Sequence, residues 1–177
     1  MTDHRIILLC VIPLVAGLVS IALINRKALS RLVGVLSYTM MLGLSLSLLL
    51  KITGAPDSES ILVSQMGGWT APFGISIVFD SLSGLLICAA AMVGLGAYVH
   101  SFSILHPRTE RRYFHPLMQF LMFGVNLSFL TGDLFNLFVA FEIMLMASYA
   151  LLTIGGSKEQ LTQAYKYILL NVLASTI

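Results

Sequence analysis

Apolar residues run along this chain in long unbroken blocks separated by short polar connectors. The blocks are Ile6–Ile24, Leu32–Leu50, Leu82–His100, Leu117–Leu130, Leu134–Thr153 and a last one from about Lys158 to residue 177. A helix that crosses a bilayer needs roughly 20 mostly apolar residues, whereas a membrane strand alternates and is about half as long. Long blocks without alternation therefore predict helices. The expected fold is all-α: a polytopic transmembrane bundle of about six helices.

The connectors set the expected orientation. The first, Asn25–Arg31, carries Arg26, Lys27 and Arg31, and the third, Ser101–Pro116, sets Arg108, Arg111 and Arg112 against Glu110. The second, Lys51–Asp80, sets Lys51 against Asp57, Glu59 and Asp80. Positive residues gather on the cytoplasmic side of membrane proteins. The first and third connectors are thus expected inside, and the N-terminus and the 51–80 loop outside. The later half of that loop has turn punctuation at Gly67–Gly68 and Pro72, then a strand-like alternation up to Asp80. With Trp69 and Phe73 at the membrane–water boundary, it is expected to form an interfacial hairpin.

Composition agrees with a membrane location. The 177 residues are 58% hydrophobic and 10% charged, where soluble domains have about 25% charged residues. The net charge of +2 is confined to short loops, so it speaks for orientation and against nucleic-acid binding. The first block is read as a retained span. It is longer than a signal-peptide core, Asp3 offsets Arg5, and no small-residue cleavage site follows. Cys10 and Cys88 lie within apolar blocks without metal-ligand spacing and are read as small hydrophobes. Ala90 and Gly94 share a helix face suited to close packing. Gln119 and Asn126, seven residues apart, share another and are read as interhelical hydrogen-bonding groups. No metal or cofactor site is visible.

One position departs from this economy. Glu142 sits near the middle of the fifth block, where a charge costs at least about 2.5–3.5 kcal/mol on insertion scales. Ionisable residues at that depth face a bundle interior or a water-filled cavity and often mark ion paths. Glu142 is therefore the candidate proton-transfer group. Tyr149 and Thr153 follow it on the same face, at i+7 and i+11, as accessory polar groups. Asp133 stands at the helix start, where a carboxylate suits the helix dipole and serves as a cap or as an outer relay. The sixth block opens with a capping box, Ser157 to Gln160. Lys166 lies roughly 12 Å beyond that cap. Two readings of it stay open: a lysine snorkelling to the surface, or a second proton-transfer group whose proton affinity follows its surroundings. Tyr167, Asn171 and Ser175 form a separate packing face. The chain ends at Ile177 inside an apolar block, as expected of the N-terminal part of a longer protein or of a truncated product.

Several segments carry a family resemblance: Gly132-Asp-Leu-Phe-Asn-Leu-Phe-Val139 with Phe141-Glu142, and Ala147-Ser-Tyr-Ala-Leu151. To these add Gly67-Gly-Trp-Thr-Ala-Pro-Phe-Gly-Ile75 with Asp80-Ser-Leu-Ser83, and Ala164-Tyr-Lys-Tyr-Ile168 with Asn171. The chain resembles the antiporter-like subunit family, in which the D-type members of multisubunit Na+/H+ antiporters (Mrp type) stand beside proton-pumping membrane subunits of respiratory complex I. The external segment is the most similar to the D-type members. The resemblance implies a longer fold of about fourteen helices with two inverted repeats, of which this chain is the N-terminal portion, residues 1–177. It implies that Glu142 is the fifth-helix glutamate of a Glu/Lys proton relay and Lys166 a sixth-helix lysine.

The function implied is a multi-pass subunit of a monovalent cation (Na+, K+ or Li+)/proton antiporter in a bacterial plasma membrane. Its expected partners are other small hydrophobic subunits of the same complex. Two alternatives stand beside it: a proton-pumping subunit of an NADH or related dehydrogenase complex, and an inactive, truncated or purely structural membrane subunit. This chain has no flavin, nicotinamide or iron–sulfur motif, so it is read as a transporter subunit and any redox chemistry as belonging to partners.

Overall fold

The structure, a computed structural model, describes residues 4–54, 61–66, 69, 74–106 and 110–176, without the side chains of residues 111, 112, 172 and 174–176. Asp57, Glu59, Gly67, Gly68, Pro72, Phe73, Arg108 and Ile177, and the side chains of Arg111, Arg112 and Ser175, lie outside the described residues.

Among the described residues six long helices form where the apolar blocks predict them. They are α1 (Arg5–Ala22), α2 (Lys27–Thr53), α3 (Ser81–Ile104), α4 (His115–Leu130), α5 (Leu134–Thr153) and α6 (Lys158–Thr176). α1, α2, α3 and α5 are each long and apolar enough to cross a membrane. α4, with 16 residues, is about 24 Å long and falls short by itself. It is extended at its start by one turn of π-helix, Glu110–Phe114. α6 is the most polar of the six, with Gln160, Gln163 and Lys166 in its first three turns. Exposed leucines, valines and phenylalanines cover the outside of the bundle, including Val93, Leu134, Phe135 and Leu170. That surface suits hydrocarbon as solvent.

Close contacts fix how the helices meet. A Cβ on Gly94 would fall 2.7 Å from the Tyr38 ring, so α3 lies against α2 as the Ala90/Gly94 pair suggests. A Cβ on Gly124 would fall 2.9 Å from the Met144 backbone nitrogen, which brings α4 and α5 almost into backbone contact. Buried polar groups link the helices from inside. Asn126 Nδ2 donates to the Leu9 carbonyl (2.7 Å), and Ser37 Oγ donates to Gln119 Oε1 (2.9 Å). Both are interhelical hydrogen bonds, as the shared face predicts. Cys10 and Cys88 are free and buried.

A two-stranded hairpin closes one end of the bundle. β1 (Leu62–Gln65) pairs antiparallel with β2 (Ser76–Phe79), with Leu62 opposite Phe79 and Gln65 opposite Ser76. Period-2 burial presses Leu62, Ile77 and Phe79 onto Ile6, Leu9, Leu48, Ile52 and Leu130 in one core cluster. Trp69 in the intervening loop is exposed. The hairpin also holds the next turn: Ile77 bridges to Thr131, and the Gly132 N–H donates to the Ser76 carbonyl (2.9 Å). Asp80 then caps α3 in a reciprocal box with Ser83, Oδ1 accepting from the Ser83 N–H (2.7 Å) and Ser83 Oγ from the Asp80 N–H (2.8 Å).

Candidate functional site

α5 begins at a firmly built turn. Asp133 Oδ1 accepts from the Phe135 N–H (2.9 Å), and Thr131 Oγ1 accepts from Asn136 Nδ2 (2.9 Å). The Asp133 carboxylate is thus engaged as the helix cap. Nine residues on, Glu142 points into a cleft of about 390 Å³ between α4 and α5, lined by Leu117, Phe120, Ile143, Met146 and Ala147. Every other lining side chain is apolar. Among the described residues Glu142 makes no hydrogen bond or ion pair, and it is partly open on the cleft side. The crossing that carries it is tight, because Met144, two residues away, abuts Gly124.

Among the described residues none of the other sequence-derived candidates bonds to this carboxylate. Tyr149 is buried with its ring edge-on to Tyr167 of α6, centroids 5.4 Å apart. Thr153 Oγ1 donates back into its own helix, to the carbonyls of Tyr149 (3.2 Å) and Ala150 (3.0 Å). Lys166 is exposed on α6, and among the described residues no ion pair joins it to Glu142. α6 itself starts as expected, with Gln160 N–H donating to Ser157 Oγ (3.2 Å) and Ser157 N–H to Gln160 Oε1 (3.3 Å). Gly156, at φ 71°, takes the left-handed turn between α5 and α6 that glycine favours.

A second polar group, at the end of the bundle opposite the hairpin, is the one sequence reasoning missed. Glu110 is fully buried. Arg31 grips it with Nε to Oε1 (2.5 Å) and Nη2 to Oε2 (3.0 Å), and Lys27 pairs with Oε2. The Arg31 guanidinium also lies over the Phe102 ring, 4.5 Å from its centroid. Burial pushes the Glu110 carboxyl upward, but the hydrogen bonds and charges of Arg31 and Lys27 outweigh it, and its pKa stands below the usual carboxylate range. His115 Nε2 lies 3.4 Å from Glu110 Oε1, and its Nδ1 lies 2.7 Å from the Tyr98 hydroxyl. That hydroxyl also reaches the Ser30 carbonyl (3.2 Å). Lys27 and Arg31 stand four apart on one face of α2, a spacing that could have drawn attention to them. Their partner 79 residues from Arg31 could not be read locally. The pairing does place the first and third connectors at one end of the bundle, as the charge pattern requires.

No family model matches the chain. It is 38% identical to the D-type member of a Na+/H+ antiporter of Alkalihalophilus pseudofirmus over 99% of its own length and 35% of that protein. It is 40% identical to the D-type member of a probable K+/H+ antiporter of Rhizobium meliloti, again over 99% of this chain and 32% of the relative. The chain thus spans about a third of the length of the curated relatives it matches. Among solved structures it is similar to a chain of the Mrp complex from Dietzia, with a TM-score of 0.85 and 28% identity over 97% of this chain and 32% of that one. A chain of an archaeal membrane-bound sulfane sulfur reductase shares the fold, with a TM-score of 0.89 and 23% identity over 98% of this chain and 35% of that one.

Proposed function

We propose, from the premise that this multi-pass membrane chain is homologous over 99% of its length to D-type antiporter proteins, that it is part of a subunit of a monovalent cation/proton antiporter. In this reading it works among other membrane subunits in a bacterial plasma membrane, and Glu142 carries the proton. The observation that bears most weight is the setting of Glu142: a carboxylate in an apolar cleft, without a partner among the described residues. In hydrocarbon such a group must gain a proton, a cation or water to be tolerated. A site whose occupant must alternate is what proton exchange requires.

Lys166 would act as the charge that biases Glu142 when the complete protein brings the two into range, since a cation within about 4–6 Å favours the ionised carboxylate. Exchange of unequal charge can draw on the membrane potential, about 2.3 kcal/mol per charge per 100 mV. The test is Glu142→Gln in the complete assembly, read as Na+- or K+-driven proton movement in membrane vesicles. Antiport should be lost while the complex still assembles on native gels. Undiminished antiport in an assembled variant would remove Glu142 from the mechanism.

A proton-pumping subunit of a respiratory complex is the second reading, favoured by the fold shared with the sulfane sulfur reductase chain. Purification of the native complex separates the two. Companions carrying flavin or iron–sulfur groups support the respiratory reading, and membrane subunits alone support the antiporter.

A further inference from the structure

The Glu110 cluster contains a hydrogen-bonding position that one more proton would complete. His115 is 5% exposed, and its Nε2 is buried without a hydrogen-bond partner, 3.4 Å from a carboxylate oxygen. A neutral imidazole carries one N–H. With the hydrogen on Nε2, the Tyr98 hydroxyl must donate to Nδ1 and gives up the Ser30 carbonyl. With the hydrogen on Nδ1, Tyr98 keeps Ser30, but the Nε2 lone pair faces the Glu110 carboxylate. Only the doubly protonated ring uses every contact at once: Nδ1–H to the Tyr98 oxygen, the Tyr98 O–H to the Ser30 carbonyl, and Nε2–H to Glu110 Oε1.

The groups facing His115 divide by sign. Glu110 favours the proton; Lys27 and Arg31 on α2 oppose it by charge; Tyr98 on α3 accepts or donates. Arg31 is held by two hydrogen bonds and the Phe102 ring and does not lose its proton. Lys27 is the less firmly held cation: it pairs with Oε2 alone, where Arg31 engages both carboxylate oxygens.

We propose that His115, between Glu110 and Tyr98, is a proton-binding site distinct from Glu142, filled from the connector end as Lys27 releases Glu110. The exchange balances: one cation leaves the carboxylate, one proton arrives on Nε2, and the cluster keeps its charge. The site deepens the antiporter reading by supplying a proton acceptor at the end opposite the hairpin, and its role in transport rests on that reading; its existence does not.

The test uses the complete assembly with ring-15N-labelled histidine, subtracting the spectrum of His115→Gln to isolate one imidazole. A His115 signal that passes from doubly to singly protonated as the pH rises from 5 to 9, and does so at higher pH in Lys27→Gln, is the expected result. A ring that stays in one form across that range in both the parent and Lys27→Gln overturns the proposal. Should His115→Gln not assemble, Tyr98→Phe identifies the same ring through the loss of its Nδ1 partner. A titrating His115 in an assembly without antiport would leave the site standing and remove the transport reading.

Discussion

Arg31 and Glu110, 79 residues apart in sequence, are joined by two parallel hydrogen bonds at the connector end of the bundle. The pair links α2 to the π-turn that leads into α4, so it stabilises a junction that no stretch of local sequence specifies.

Among the described residues, removing Arg31 leaves the buried carboxylate with Lys27 as its remaining full charge. Because the Arg31 side chain is 31% exposed and partly screened, Arg31→Ala should cost about 1–3 kcal/mol, less than a wholly buried pair. Arg31→Lys keeps the charge but not the fork and should recover only part of the loss. Thermal unfolding of the purified assembly, as a cycle with Glu110→Gln, isolates the pairwise contribution.

The same carboxylate sets a pH dependence. The pKa of Glu110 is lowered on folding, so its contribution is fully present above the unfolded value of about 4.3 and is lost as pH falls through the folded value. The parent protein should therefore lose its stability advantage over Glu110→Gln on acidification below about pH 4. A constant difference in Tm down to pH 3 would show that Glu110 does not titrate with folding.

Gly124 gives the sharpest steric prediction. An added methyl would press on the Met144 backbone, which cannot swing aside as a side chain can. Gly124→Ala should destabilise by about 1–3 kcal/mol and, on the proposed function, lower antiport by displacing the helix that carries Glu142. Gly96, inside α3, whose added Cβ would meet nothing within 4 Å, is the control, and Gly96→Ala should show no loss of stability.

Asp80→Ala removes a reciprocal cap from α3 and should cost about 1 kcal/mol. The Ser83 N–H and hydroxyl hold the Asp80 carboxyl below its ordinary range. That contribution is likewise present at neutral pH and lost on acidification. Asp80→Asn, which still accepts one bond, should fall between the two in Tm.

The helices were legible because hydrocarbon demands long apolar runs, and each block from Ile6 to Leu130 returned a helix within a few residues of its expected ends. Asp133, Ser157 and Gln160 were legible because caps act over three residues. Leu62–Gln65 was harder to read: four residues in an edge strand carry little pattern until β2 lies beside them. Glu110 looked like one acid among arginines, since nothing local tells a buried carboxylate from an exposed one. Glu142 was singled out by depth alone, and its cleft is a property of two packed helices that neither block encodes by itself.

The hydrogen-bonded bridge between β2 and the Thr131–Gly132 turn has a mechanical meaning for α5. That helix is pinned two residues before its start by a sheet seated on the starts of α1 and α3 and the end of α2, while its other end leaves through a glycine. Glu142, about two and a half turns from that pin and two residues from the Gly124–Met144 contact, stands on a stretch braced from both sides, an anchorage rather than a hinge.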